Sequence, residues 1–155
     1  MNKLAVVVIA MLCPLATASA QPQANTSTDR ERLIGAWHLV KIASGASDED
    51  ASSTSQPLGI LIYTRDGHMS VQLMYPKAAH APDNEYVRAG YEASFGSYDI
   101  DEAKHTLTHH VMGSITRDLL VGRSLSRIYQ LTQDGRLIIR SADQHEHWSV
   151  TWEHD

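Results

Sequence analysis

The chain has a single cysteine, Cys13, and this residue lies among its first twenty. Once those residues are removed, the protein can form no disulfide and has no thiolate for catalysis or metal binding. Its stability must then come from a packed hydrophobic core. A length of 155 residues suits one domain with such a core.

Long apolar segments and basic clusters are also lacking. The apolar run Leu4–Leu12 is too short to span a bilayer, which needs about twenty residues. No run of Lys and Arg is present of the kind that a nucleic-acid groove or an anionic membrane surface needs, and the net charge is −5. We therefore expect no nucleic-acid partner and no membrane span. The oligomeric state stays undetermined.

The first twenty residues have the organisation of a secretory signal. Lys3 supplies a positive charge, Leu4–Leu12 supplies the apolar region, and Ala18-Ser19-Ala20 has the small-residue pattern that precedes cleavage. We predict that residues 1–20 are a signal peptide and that the protein is exported, either to a periplasm or out of the cell.

The remaining chain divides into a leader and one domain. Residues 21–29 are polar and lack apolar periodicity, which indicates a flexible leader, and residues 30–155 are predicted to form the domain. Within it, Gly45–Pro57 is acidic and rich in serine. This composition predicts a mobile loop, which we expect at the mouth of a ligand site.

The stretch Leu58–Met74 reads LGILIYTRDGHMSVQLM and predicts a β-hairpin. Asp66-Gly67 suits a two-residue type I′ turn, which pairs Ile62 with Val71. That register collects the aliphatic side chains on one face, which we expect to point inward. The members of this face are Ile60, Ile62, Val71 and Leu73.

Alternating apolar and polar residues predict six more strands and few helices. A first strand lies within Leu33–Ala43, two further hairpins follow, and a last strand ends the chain; a short helix is predicted over Asp83–Ala93. The hairpins join Phe95–Ile100 to His105–Val111 and Arg123–Gln133 to Arg136–Ala142, and the last strand is His145–Glu153. Eight strands at hairpin spacing indicate an up-and-down barrel or a sandwich. We predict the all-β, antiparallel up-and-down barrel, which can enclose one small ligand.

His109 is the leading polar candidate for the inside of this barrel. It shares an apolar face with Tyr98 and Leu107, and the predicted register places it opposite Gly96. Two interpretations remain open. His109 is either a core histidine hydrogen-bonded to Tyr98 or a donor that orients a ligand in the lumen.

Arg127 is the second candidate, and its direction is open. The predicted turn at Asp134-Gly135 places it on the same face as Arg140, opposite an apolar face that contains Leu137 and Ile139, and this favours an outward position. An inward guanidinium would need an anion, such as a ligand carboxylate, because an unpaired buried charge is very costly. An outward Arg140 would lie over Tyr129 as a surface cation–π pair.

Several motifs together resemble the bacterial lipocalin-like domain family. They are Gly35-Ala36-Trp37, LIYTRDGHMSVQLM, Gly96-Ser97-Tyr98, THHV and RIYQLTQDGRL. The resemblance implies a calycin-type barrel with a pocket at one end, and a structural role for Gly35 and Trp37 at the closed end. It also implies that a late basic residue packs across Trp37. Arg127 and Arg140 are candidates for that position, and His154 stands where a basic residue is expected in the last strand.

We therefore expect an exported protein that binds a small, mainly apolar molecule in the barrel lumen. An enzyme on the same barrel is the alternative, namely an isomerase, cyclase or hydratase that uses His109 and a tyrosine as acid and base. No G-x-S-x-G or glycine-rich phosphate motif is present, and we expect neither a cofactor nor a metal site. The predicted ligand-binding residues are His109, Tyr98, Ile60, Ile62, Val71, Leu73, Leu107 and Arg127.

Overall fold

The computed structural model describes residues 27–44, 57–75 and 83–154. The predicted signal peptide, most of the leader and the loop between the first two strands lie outside the described residues. The described elements are a helix α1 (Asp29–Leu33) and strands β1 (Gly35–Ser44), β2 (Leu58–Tyr63), β3 (His68–Met74), β4 (Tyr91–Asp101), β5 (Thr106–Ser114), β6 (Ser124–Leu131), β7 (Arg136–Ser141) and β8 (Trp148–His154), with one 3-10 turn at Asp118–Leu120.

In these residues, the eight strands form a closed barrel in sequence order, and β1 pairs with β8 to complete it. All eight pairings are antiparallel. The predicted eight-stranded up-and-down barrel is confirmed. Closure leaves no unpaired sheet edge, and alternate side chains of each strand point into the interior.

The β2–β3 hairpin is closed by the four residues Thr64–Gly67 and not by Asp66-Gly67 alone. The Thr64 N–H donates to the His68 carbonyl at 2.9 Å, and the Gly67 N–H donates to the Thr64 carbonyl at 3.2 Å. A type I′ turn would need a positive φ at both central residues. Gly67 has a positive φ of 89°, but Asp66 does not, so the turn is not of type I′.

This loop shifts the register of the hairpin by one residue. Leu61 pairs with Val71, and Ile62 pairs with Ser70. The prediction that Ile60 and Ile62 point inward is therefore wrong, since a one-residue shift moves every β2 side chain to the other face. Leu61 and Tyr63 are the inward residues of β2, and Val71 and Leu73 are buried as predicted.

The β6–β7 hairpin repeats this arrangement across Thr132–Gly135. Arg127 pairs with Ser141 and Tyr129 with Ile139, so Arg127 shares its face with Ile139 rather than with Arg140. The outward position that the predicted register favoured for Arg127 is wrong. Its side chain points inward and is only 6% exposed, whereas Arg140 is on the outer face.

The β4–β5 hairpin differs from its predicted register by two residues, which leaves every side chain on the predicted face. Tyr98 pairs directly with His109, and Gly96 pairs with Val111. Leu107, His109 and Tyr98 are all buried on the inner face. The prediction that these three residues share one inward face is confirmed.

Helix α1 closes one end of the barrel, and the sequence did not predict it. Thr28 is its N-cap and forms a capping box with Glu31, so ordered structure begins inside the predicted leader. The Glu102 carboxylate, from the β4–β5 loop, accepts the N–H groups of Asp29 and Arg30 at 3.3 and 3.2 Å. Leu33, the last residue of the helix, is fully buried in the core.

Trp37 lies at this closed end, as the family resemblance implied. Its indole N–H donates to the Leu33 carbonyl at 2.8 Å, and its side chain is 2% exposed. His154 packs edge-on against the indole, with ring centroids 4.6 Å apart. His154 therefore occupies the position for which Arg127 and Arg140 were candidates.

The helix predicted over Asp83–Ala93 is absent. Residues 83–90 form bends and a turn, and β4 begins at Tyr91. The Asn84 side chain accepts the N–H groups of Tyr86 and Val87, both at 2.8 Å, and the Asp83 side chain accepts that of Ala89. These bonds offer the backbone an alternative to helical pairing.

Candidate functional site

A hydrogen-bonded pair lies on the inner face, next to the loop that joins β2 to β3. The Tyr63 hydroxyl is 2.7 Å from Nε2 of His109, and both side chains are buried. Tyr63 comes from β2 and His109 from β5, so barrel curvature brings them together across the lumen. In the described part of the chain, Nδ1 of His109 makes no hydrogen bond.

Burial keeps both members of this pair neutral. It lowers the pKa of His109 to about 3, and the positive charge of Arg127 acts in the same direction. It also raises the pKa of Tyr63 well above its usual value, although Arg127 opposes that effect. The pair therefore offers hydrogen bonds and no charge at physiological pH.

Tyr98 is adjacent to this pair but does not share its hydrogen bond. Its ring contacts that of Tyr63, with centroids 4.8 Å apart. Its hydroxyl donates to the Thr64 carbonyl at 3.0 Å, in the loop at the closed end. The bond between Tyr98 and His109, which one of the two interpretations of His109 assumed, is not formed, and the Tyr63 hydroxyl is the partner instead.

The Arg127 guanidinium lies against two aromatic rings at the end of the barrel opposite α1. Its central carbon is 5.1 Å from the ring centroid of Tyr86 and 4.9 Å from that of Trp148. Its Nη1 donates to the neighbouring Ser126 carbonyl at 3.3 Å. In the described residues, no carboxylate lies within 4.0 Å of this cation.

The two rings are held by a single carboxylate. Glu146 accepts the Tyr86 hydroxyl at 2.9 Å and the Trp148 indole N–H at 2.9 Å. Burial acts to raise the pKa of Glu146, but hydrogen bonds, among them those from Trp148 and Tyr86, outweigh it and lower the pKa to about 2. Glu146 is thus an anion that positions the rings.

Glu92, at the start of β4, is an acid whose pKa responds to the charge of Arg127. Burial raises its pKa to about 7, and the Arg127 charge partly offsets this rise. At neutral pH a substantial fraction of Glu92 is therefore protonated. The Glu92 carboxyl group therefore offsets the charge of Arg127 only in the fraction of molecules in which Glu92 is ionised.

An open depression of about 350 Å³ lies at the ends of β2, β3 and β4, and its lining includes outward side chains as well as the inward Leu73 and Glu92. Ile60 lines it together with Leu58, Met74 and Tyr91, and the last three are all exposed. Ile60 is therefore part of an outer surface and not of the lumen. Among the described residues, no group of three or more His, Cys, Asp or Glu side chains is arranged to hold a metal ion.

A comparison with known protein families agrees with the observed barrel. A family model described as a Lipocalin-like domain matches residues 34–154. The chain belongs to this family. The lipocalin-like domain begins immediately after α1 and ends in β8, so it comprises the whole barrel. No curated protein matches the chain. In the described residues, no helix has the length and apolar character needed to cross a membrane.

Sequence reasoning assigned no site role to four residues that the structure places near His109 or Arg127: Tyr63, Tyr86, Glu92 and Trp148. Tyr63 would have followed from reading the repeated pattern T-x-D-G as a four-residue loop, since Thr64 and Thr132 make the same backbone bonds in both hairpins. The other three come from a connection and two strand ends. Their proximity to Arg127 depends on how the barrel closes, which no local pattern shows.

Proposed function

We propose that this lipocalin-like domain is an exported protein that binds a small, mainly apolar molecule inside its barrel. The observation that carries the proposal is the buried His109 imidazole, which is neutral and has a second nitrogen without a partner in the described residues. Apolar side chains surround it on the inner face, including Leu61, Val71 and Leu107. Such a surface suits a ligand with one hydrogen-bonding group.

The enzyme alternative draws on the same Tyr63–His109 pair. A general base works best when its pKa lies near the working pH, and burial places that of His109 at about 3. Tyr63 is correspondingly a poor acid. These directions favour binding over acid–base chemistry. A turnover that is lost in both Tyr63→Phe and His109→Phe would reverse this preference.

A titration with N-phenyl-1-naphthylamine, an apolar fluorophore with one N–H group, tests the binding proposal. We expect the wild-type protein to bind it and His109→Phe to bind more weakly by roughly 1–3 kcal/mol, because the substitution removes a hydrogen-bond partner. His110→Phe is the matched control, since His110 lies on the outer face and bonds to Asp99 and Ser124. Equal binding by wild type and His109→Phe would remove His109 from the site. No binding by any of the three would indicate a barrel filled with side chains.

A further inference from the structure

The Arg127 guanidinium is a buried cation with no carboxylate within 4.0 Å in the described residues, and Glu92 offsets its charge only in the ionised form. It is 6% exposed, Nη1 donates to the backbone carbonyl of Ser126, and the guanidinium otherwise lies against the rings of Tyr86 and Trp148. A buried, uncompensated charge is strongly unfavourable. Since the fold nevertheless places this charge on the inner face, a ligand anion is the partner that would compensate it.

We propose that Arg127 binds the carboxylate of an amphipathic organic acid, so that the protein selects such acids over their neutral counterparts. This inference rests on the proposed function, because it names the chemical class of the ligand. It adds an ionic contact to the hydrogen bond expected at His109. It also assigns Arg127 a direct role in specificity.

The aromatic rings leave most of the N–H donors of Arg127 available, since among the described residues only the Ser126 carbonyl and the Tyr86 side chain accept hydrogen bonds from it. A cation–π contact is an attraction between the ring and the positive charge, and it occupies no N–H donor. Tyr86 and Trp148 therefore hold the guanidinium while its other donors stay available for a carboxylate, which they match in a bidentate geometry. Glu146 supports this arrangement because it bonds to both rings and not to the cation.

The surroundings of Arg127 favour a single negative charge. One guanidinium balances one carboxylate, whereas a phosphate dianion would leave a second charge among apolar side chains such as Leu107 and Ile139. Ionised Glu92 already offsets part of the Arg127 charge, so a second negative charge on the ligand would be repelled. A monoanionic acid with an apolar body fits both the charge and the apolar lining.

A matched pair of fluorescent probes tests this proposal: cis-parinaric acid and its methyl ester, which differ only in the charge of the head group. We expect the wild-type protein to bind the acid about tenfold or more tightly than the ester, since hydrogen bonds to charged groups are the strong ones. In Arg127→Met this preference should vanish while ester binding remains. Arg140→Met is the control, because Arg140 has the same chemistry on the outer face.

The outcomes separate this inference from the proposed function. Equal binding of acid and ester by the wild type, or an acid preference that persists in Arg127→Met, overturns the carboxylate site and leaves ligand binding intact. Absence of binding for both probes and for N-phenyl-1-naphthylamine overturns both proposals. If Arg127→Met does not fold, Arg127→Lys decides: the preference should fall several-fold, because an ammonium lacks the planar fork, and an unchanged preference contradicts the proposal.

Discussion

His109 links the interior of the barrel to pH through a single side chain. Its pKa is about 3 in the folded protein and near 6.5 in the unfolded chain, chiefly because burial disfavours the charged form. Between these values the unfolded state binds a proton that the folded state does not. The contribution of His109 to stability is therefore complete above about pH 6.5 and is lost progressively as the pH falls toward 3.

We predict that His109→Gln reduces the pH dependence of unfolding in this window. In the wild type, His109 alone should raise the free energy of unfolding by up to about 1.4 kcal/mol for each unit by which the pH rises within this window. Glu92 acts in the opposite direction between its ordinary pKa and about 7, because its folded-state pKa is raised. Urea denaturation of both proteins at a series of pH values isolates the His109 contribution as their difference. A constant difference across the window would contradict a buried neutral histidine.

The hairpin loops are the elements that set the register of the barrel. Three of them have four residues and end in a left-handed residue, namely Gly67, His105 and Gly135, with φ of 89°, 51° and 84°. The first two also bond to the next strand, because the Gly67 carbonyl accepts the Tyr98 N–H and the His105 carbonyl accepts the Tyr129 N–H. Each loop thus fixes which side chains of its two strands face inward.

We predict that Gly135→Ala destabilises the protein by about 1–2 kcal/mol, which is the cost of a left-handed conformation for an L-residue with a Cβ. Nothing lies within 4 Å of the position that the new Cβ would take, so the effect should come from the backbone alone. Denaturant midpoints measure it. Gln133→Ala, in the same loop, is the control, and equal midpoints for the two variants would show that the left-handed conformation is not required.

The whole molecule is a barrel closed by α1 at one end, with the aromatic rings around Arg127 near the other. The N–H of Trp37 and the carboxylate of Glu102 tie α1 to the barrel. The closed end therefore consists of one short helix, and Tyr129 adds a bond from its hydroxyl to Asp29 at 2.9 Å. If the proposed ligand binds, we expect it to enter from the end that holds Tyr86 and Trp148.

For the protein as a whole, we predict export and a mature chain that starts at Gln21. The pattern Ala18-Ser19-Ala20 after a short apolar run motivates this proposal. N-terminal sequencing of protein recovered outside the cytoplasm of its host measures it directly. A chain that starts at Met1, or one that carries a lipid on Cys13, would contradict the proposal.

The sequence by itself determined the fold class, the number of strands and the burial of Val71, Leu73, Leu107 and His109. These properties follow from side-chain alternation along a strand, which is local and has a period of two. It also predicted that an inward Arg127 would need an anion, which is a matter of charge and solvation. It did not determine whether Arg127 points inward, because the register of its hairpin depends on whether two residues or the four residues Thr132–Gly135 close the loop.

Only the tertiary structure decided which residues meet inside the barrel. Tyr63 and His109 lie 46 positions apart along the chain, and Tyr86, Arg127 and Trp148 come from a connection and two different strands. Their contacts depend on the pairing of β1 with β8 and on the curvature that this closure imposes. Such proximity is a property of the closed sheet, and so no pattern within a single strand could show it.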